Sequence, residues 1–149
     1  MSPTSADDGT ALVLPPSVRW AGWIGMVEGI VGLAFAVYLA VGAVRGDEDS
    51  TAQFGGVAVE SIGYGWGTAA WFGFFGGVVA VAGWCLSTGR RWGRGPVAML
   101  HLFLLPISVY MFSSGRPELA VPTAAVGALG LALLFNPTAV EWAARRYGR

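Results

Sequence analysis

The chain has 149 residues, of which 54% are hydrophobic and 12% charged, with a mean hydropathy of +0.58 and no formal net charge. Water-soluble domains carry about 25% charged residues, so an ordinary soluble domain is excluded. The balanced charge excludes the basic field that nucleic-acid binding needs. All nine basic residues are arginine, and the one cysteine, Cys85, allows neither an intrachain disulfide nor a cysteine-based metal cluster. It reads as a buried, inert thiol in an apolar helix.

Residues 1–17 read as a flexible N-terminal tail, because Asp7, Asp8, Gly9 and the Pro15-Pro16 pair offer nothing to fold around. Residues 18–136 read as one domain of four transmembrane helices. The first covers about 20–44, bracketed by Arg19 and Arg45, with Glu28 its only charge. At 1.5 Å per residue it is ~37 Å long, enough to cross a hydrocarbon core of about 30 Å with some tilt. A cleaved signal peptide is the weaker reading, since the apolar run far exceeds a 7–15-residue h-region and follows an acidic tail. An acidic linker with Asp47, Glu48, Asp49 and Glu60 leads to the second helix, about 62–86.

The third helix is expected over about 96–113, opening with Pro96 at a favourable first-turn position and kinked by Pro106. The turn 114–117 leads into a fourth over about 118–135, short enough to stand nearly upright. Asn136-Pro137 then has the pattern of an N-cap and first helical residue, starting a short basic helix over 137–149 that lies at the membrane surface.

The arginines orient this topology. Arg19, Arg90, Arg91, Arg94, Arg145, Arg146 and Arg149 fall on one side of four spans, and only Arg45 and Arg116 on the other. The positive-inside rule then places both termini in the cytoplasm, and the location expected is the plasma membrane. Trp20, Trp23, Trp84, Trp92 and Trp142 mark the inner boundary, with Trp66 and Trp71 near the outer one. The fold expected is an all-α membrane protein with its helices in one antiparallel bundle.

Apolar faces gain little by meeting in lipid, so small residues mark close contacts. Ala21, Gly25, Gly29 and Gly32 share one arc of the first helix with Glu28; Ala69, Gly73 and Gly77 repeat the device on the second. Ala120, Ala124, Gly127 and Ala128 do so on the fourth.

Glu28 lies about 12–15 Å deep from the cytoplasmic side, where an acid costs a few kcal/mol on insertion scales. His101, the only histidine, enters from the same side to roughly 8–9 Å, with Ser108 on its face. The two form a candidate intramembrane polar or proton site. A polar clasp between helices is the bland reading and a proton- or cation-responsive site the sharper one. No Ser-His-Asp set, zinc spacing, P-loop or DNA-reading module occurs, so no catalytic, cofactor or metal residue is expected. Gly63-x-Gly65-x-Gly67 lacks a strand–helix context, and Asp47-Glu48-Asp49 reads as a solvated loop.

Arg90-Arg91-Trp92-Gly93-Arg94-Gly95-Pro96, the helix through Leu104-Leu105-Pro106, the turn after it and Leu133-Leu134-Phe135-Asn136-Pro137 together resemble the small four-helix integral membrane proteins of actinobacteria. That resemblance implies the fold and the source, and no site residue, since such proteins mostly have no assigned activity. Glu28 alone is similar to the glutamate in the first helix of small multidrug-resistance exporters, which are shorter and have tight loops throughout. The favoured expectation is a non-enzymatic structural or accessory protein whose partners are the lipid bilayer and a homo-oligomer or larger membrane complex, with no nucleic acid. The alternative is a proton-coupled exporter using Glu28.

Overall fold

The computed structural model describes residues 13–45 and 62–147, with side chains described for 13–45 and 66–146. The acidic linker, most of the N-terminal tail and Arg149 lie outside the described residues. Among the described residues there are five α-helices and no strand: α1 Pro16–Arg45, α2 Ile62–Ser87, α3 Arg94–Ser113, α4 Pro117–Leu134 and α5 Pro137–Tyr147. A 3-10 turn over Arg91–Gly93 joins α2 to α3. Pro16 and Ser17 are therefore helical rather than part of a tail, as a proline in the first turn gives up no hydrogen bond. α3 begins two residues earlier than Pro96 and keeps helical backbone through Pro106.

Among the described residues four helices are long and apolar enough to cross a membrane: Pro16–Arg45, Trp66–Ser87, Arg91–Ser113 counting the 3-10 turn, and Pro117–Leu134. Between 17% and 33% of each apolar window is buried inside the protein. The remainder, including Val31, Phe74, Val81, Phe103, Val109 and Val121, points outward. An apolar exterior of this extent belongs in hydrocarbon rather than water.

Two turns end their helices by the same device. Gly89 and Gly115 have φ of 77° and 74°, the left-handed region that a side chain disfavours. At the end of α2, the Gly89 amide donates to the Leu86 carbonyl at 3.0 Å and that of Arg90 to Cys85 at 2.8 Å. After α3, Gly115 donates to Phe112 and Arg116 to Met111, both at 3.1 Å. These paired bonds satisfy carbonyls that a helix end otherwise leaves open. Asn136 caps α5 as its sequence requires, its Oδ1 accepting the Thr138 amide at 3.2 Å.

The closest packing joins α1 to α2, backbone on backbone. A Cβ on Gly22 would stand 2.5 Å from the Ser87 nitrogen, and one on Gly76 2.9 Å from the Leu33 nitrogen. One on Gly29 would strike the Ala80 backbone, and one on Gly83 the Met26 backbone. Gly32 and Gly73 contribute looser contacts: a Cβ on Gly32 would lie 3.4 Å from the Gly76 Cα, and one on Gly73 3.8 Å from the Ala36 Cβ. Ala21 and Ala69 are buried. Gly77 departs from expectation, because a Cβ there would have no atom within 4 Å. The arc that meets α1 runs through Gly76 and Gly83, which are seven residues apart and so return to the same side of the helix. On α4 the contact residues are Ala120, Gly127 and Gly130, whereas Ala128 is exposed.

α5 is not a free surface helix. Its Ala139 and Trp142 are buried in a cluster with Val18, Ala21, Ala82, Leu86, Val97 and Leu134. Trp142 is 5% exposed, its indole packed into that cluster. Arg94 pins the same junction: its guanidinium donates to the Leu134 carbonyl at 2.8 Å and the Ala139 carbonyl at 3.1 Å. A cation at the carbonyl end of α4 also opposes that helix's dipole favourably.

Candidate functional site

Glu28 and His101 come together. The acid projects from α1 and the histidine from α3, and Glu28 Oε2 stands 3.4 Å from His101 Nε2. His101 is 0% exposed and the Glu28 side chain 20% exposed. The other ring nitrogen, Nδ1, lies 2.7 Å from the Val97 carbonyl one turn earlier on α3. A carbonyl only accepts, so Nδ1 carries a proton, and in the neutral ring Nε2 is left as an acceptor.

That tautomer sets the chemistry of the pair. Two acceptors face each other if Glu28 is ionised and His101 neutral, so the arrangement becomes attractive only when at least one proton sits on the carboxyl or on Nε2. At 3.4 Å the atoms make no hydrogen bond, and among the described residues neither has another polar partner. Two unsatisfied atoms buried face to face are costly when the proton count is wrong.

Glycines on neighbouring helices make room for the ring. A Cβ on Gly130 would fall on the imidazole itself, and one on Gly127 would lie 3.1 Å from the His101 carbonyl. On the α1 side, a Cβ on Gly25 would meet the Val97 methyls at 3.1 and 3.2 Å. The pair thus sits where α1, α3 and α4 converge. Gly130 was not legible in the sequence as a site residue, because nothing in the order of small residues on α4 says that an imidazole lies against it.

Ser108 is buried on the His101 side of α3, but its hydroxyl donates to the Leu105 carbonyl at 2.6 Å and takes no part in the pair. Among the described residues no three His, Cys, Asp or Glu side chains gather as a metal site would need. No protein-family model, curated protein or solved structure matches this chain. The site defines a class only by its chemistry: an acid–imidazole pair buried in a bundle of membrane-length helices.

Proposed function

We propose that the chain is a non-enzymatic structural or accessory protein of the plasma membrane, built from four antiparallel spans with both termini in the cytoplasm. It works within a homo-oligomer or a larger membrane complex, and Glu28–His101 is the polar clasp between its α1/α2 and α3/α4 halves. One observation carries this reading: the single acid in the core of the spans is met by a histidine of the same chain. Its partner is internal, so it needs no ligand to justify its burial.

A proton-coupled exporter is the competing reading, and the buried Glu28 Oε2, which makes no hydrogen bond even to His101, favours it. In that reading a cationic substrate displaces the shared proton and pairs with the carboxylate. Binding would then strengthen with rising pH and vanish in Glu28→Gln. The test is equilibrium binding of hydrophobic cations to the purified chain between about pH 6 and 9. We expect no binding that depends on Glu28. A saturable, pH-dependent signal lost in Glu28→Gln would replace the clasp with the exporter.

A further inference from the structure

We propose that the arginine-rich end of the bundle binds the headgroups of anionic phospholipids, a role beyond the clasp that rests on the membrane-spanning part of that reading. Three segments distant in sequence meet there. The Gly89 turn after α2 meets both Leu14, just before α1, and the Trp142 indole of α5; a Cβ on Gly89 would lie 3.6 and 3.7 Å from them. That contact brings Arg19 of α1, Arg90 and Arg91 of the turn, and Arg145 and Arg146 of α5 to one end, all five exposed. Arg94 is not among them, since it is occupied by the carbonyls of Leu134 and Ala139.

Charge complementarity names the occupant. The described acid on these segments is Glu141, 3.8 Å from Arg145, and both side chains are 70% exposed. It offsets one guanidinium of five. The opposite end carries Arg45 and Arg116 with Glu118 beside them. Guanidinium groups bind phosphate through paired N–H donors, and basic residues beside a span attract anionic lipid.

Aromatic placement makes the anion a lipid rather than a free phosphate. Arg90 lies over the Trp84 ring at 5.6 Å, and Trp84 and Trp92 are 52% and 81% exposed. Exposed indoles at a span end sit at headgroup level. Beyond them the outward apolar side chains Val81, Met99 and Leu102 offer a surface for acyl chains. A headgroup at Arg90 and Arg91 therefore has a place for its tail, which a soluble phosphate does not need.

The test uses the full chain in detergent, titrated with phosphatidylglycerol or phosphatidylcholine of identical acyl chains, with bound lipid read by native mass spectrometry. The expected result is a roughly tenfold preference for phosphatidylglycerol, the scale of one or two guanidiniums acting on one headgroup. Arg90→Gln/Arg91→Gln should lose most of the preference, Arg90→Lys/Arg91→Lys should keep part of it, and Arg45→Gln/Arg116→Gln should keep all. Arg145→Gln/Arg146→Gln, on an exposed face of α5, gives a second variant and should reduce it less. Equal retention of the two lipids, or an unchanged preference in Arg90→Gln/Arg91→Gln, would overturn the proposal. Competition by glycerol phosphate as effective as by the lipid would also overturn it, in favour of a soluble-anion site. None of these outcomes bears on the clasp, which is read by cation binding and stability.

Discussion

At the scale of single residues, His101 is fully buried and held from three directions. Its Nδ1 bonds Val97, its Nε2 faces Glu28 at 3.4 Å, and its ring lies against Gly130. Glu28→Gln keeps a group that can donate to a neutral Nε2, so we expect thermal stability in detergent to stay near that of the parent. Glu28→Leu sets an apolar group in place of the carboxyl that faces the buried Nε2 and should cost about 1–3 kcal/mol. Replacing both Glu28 and His101 by Leu should recover part of that loss. Equal melting of the Gln and Leu variants would count against the clasp.

Two glycines give a paired test of the same pocket. Gly130→Ala drives a methyl into the imidazole and should destabilise by about 1–3 kcal/mol. Gly77→Ala places the same methyl in open space and should be neutral or slightly stabilising, since alanine favours helix. Thermal melts of the two variants side by side decide this. A harmless Gly130→Ala would mean that His101 does not occupy the described position.

At the scale of elements, α1 and α2 are held by shape. Gly22 and Gly29 on one helix and Gly76 and Gly83 on the other let the backbones touch. In lipid this close approach replaces the hydrophobic drive that water would supply. The register has a direct consequence at Ala36 and Gly73, where a Cβ on the glycine would lie 3.8 Å from the alanine Cβ, the spacing of a disulfide. Ala36→Cys/Gly73→Cys in a Cys85→Ala background should therefore oxidise to an intrachain disulfide, seen as a mobility shift reversed by reductant. Ala36→Cys with Gly77→Cys should not. Crosslinking of the second pair in preference to the first would mean a different register.

At the scale of the whole molecule, six of the nine arginines gather at one end through the Leu14–Gly89–Trp142 contact and the Arg94 bonds. If that end is cytoplasmic, as we propose, single cysteines at Ser50 and Ser114, again in the Cys85→Ala background, should react with an impermeant thiol reagent in whole cells. Cysteines at Ser5 and Ser87 should react only after lysis. Labelling of Ser5→Cys or Ser87→Cys in intact cells would reverse the orientation.

What the sequence determined by itself was set by local and one-dimensional quantities. Run length and hydropathy mark four membrane-length helices. Asparagine and proline chemistry starts α5, at Asn136-Pro137. A lone acid and a lone histidine entering from the same side were readable as candidates because intramembrane polar groups are costly and few. The tertiary structure decided what depends on the angle between helices. Gly76 and Gly83 meet α1 while Gly77 meets nothing, a difference of one residue, or about 100° around α2. In a chain with 23 glycines, composition does not distinguish a glycine at a contact from one facing outward. Trp142 likewise had the sequence of an interfacial anchor, and only the folding of α5 beneath the bundle buried it. Pairwise distance between spans is a property of packing, and packing in lipid is chosen by shape, which the linear order of residues encodes only through all the helices at once.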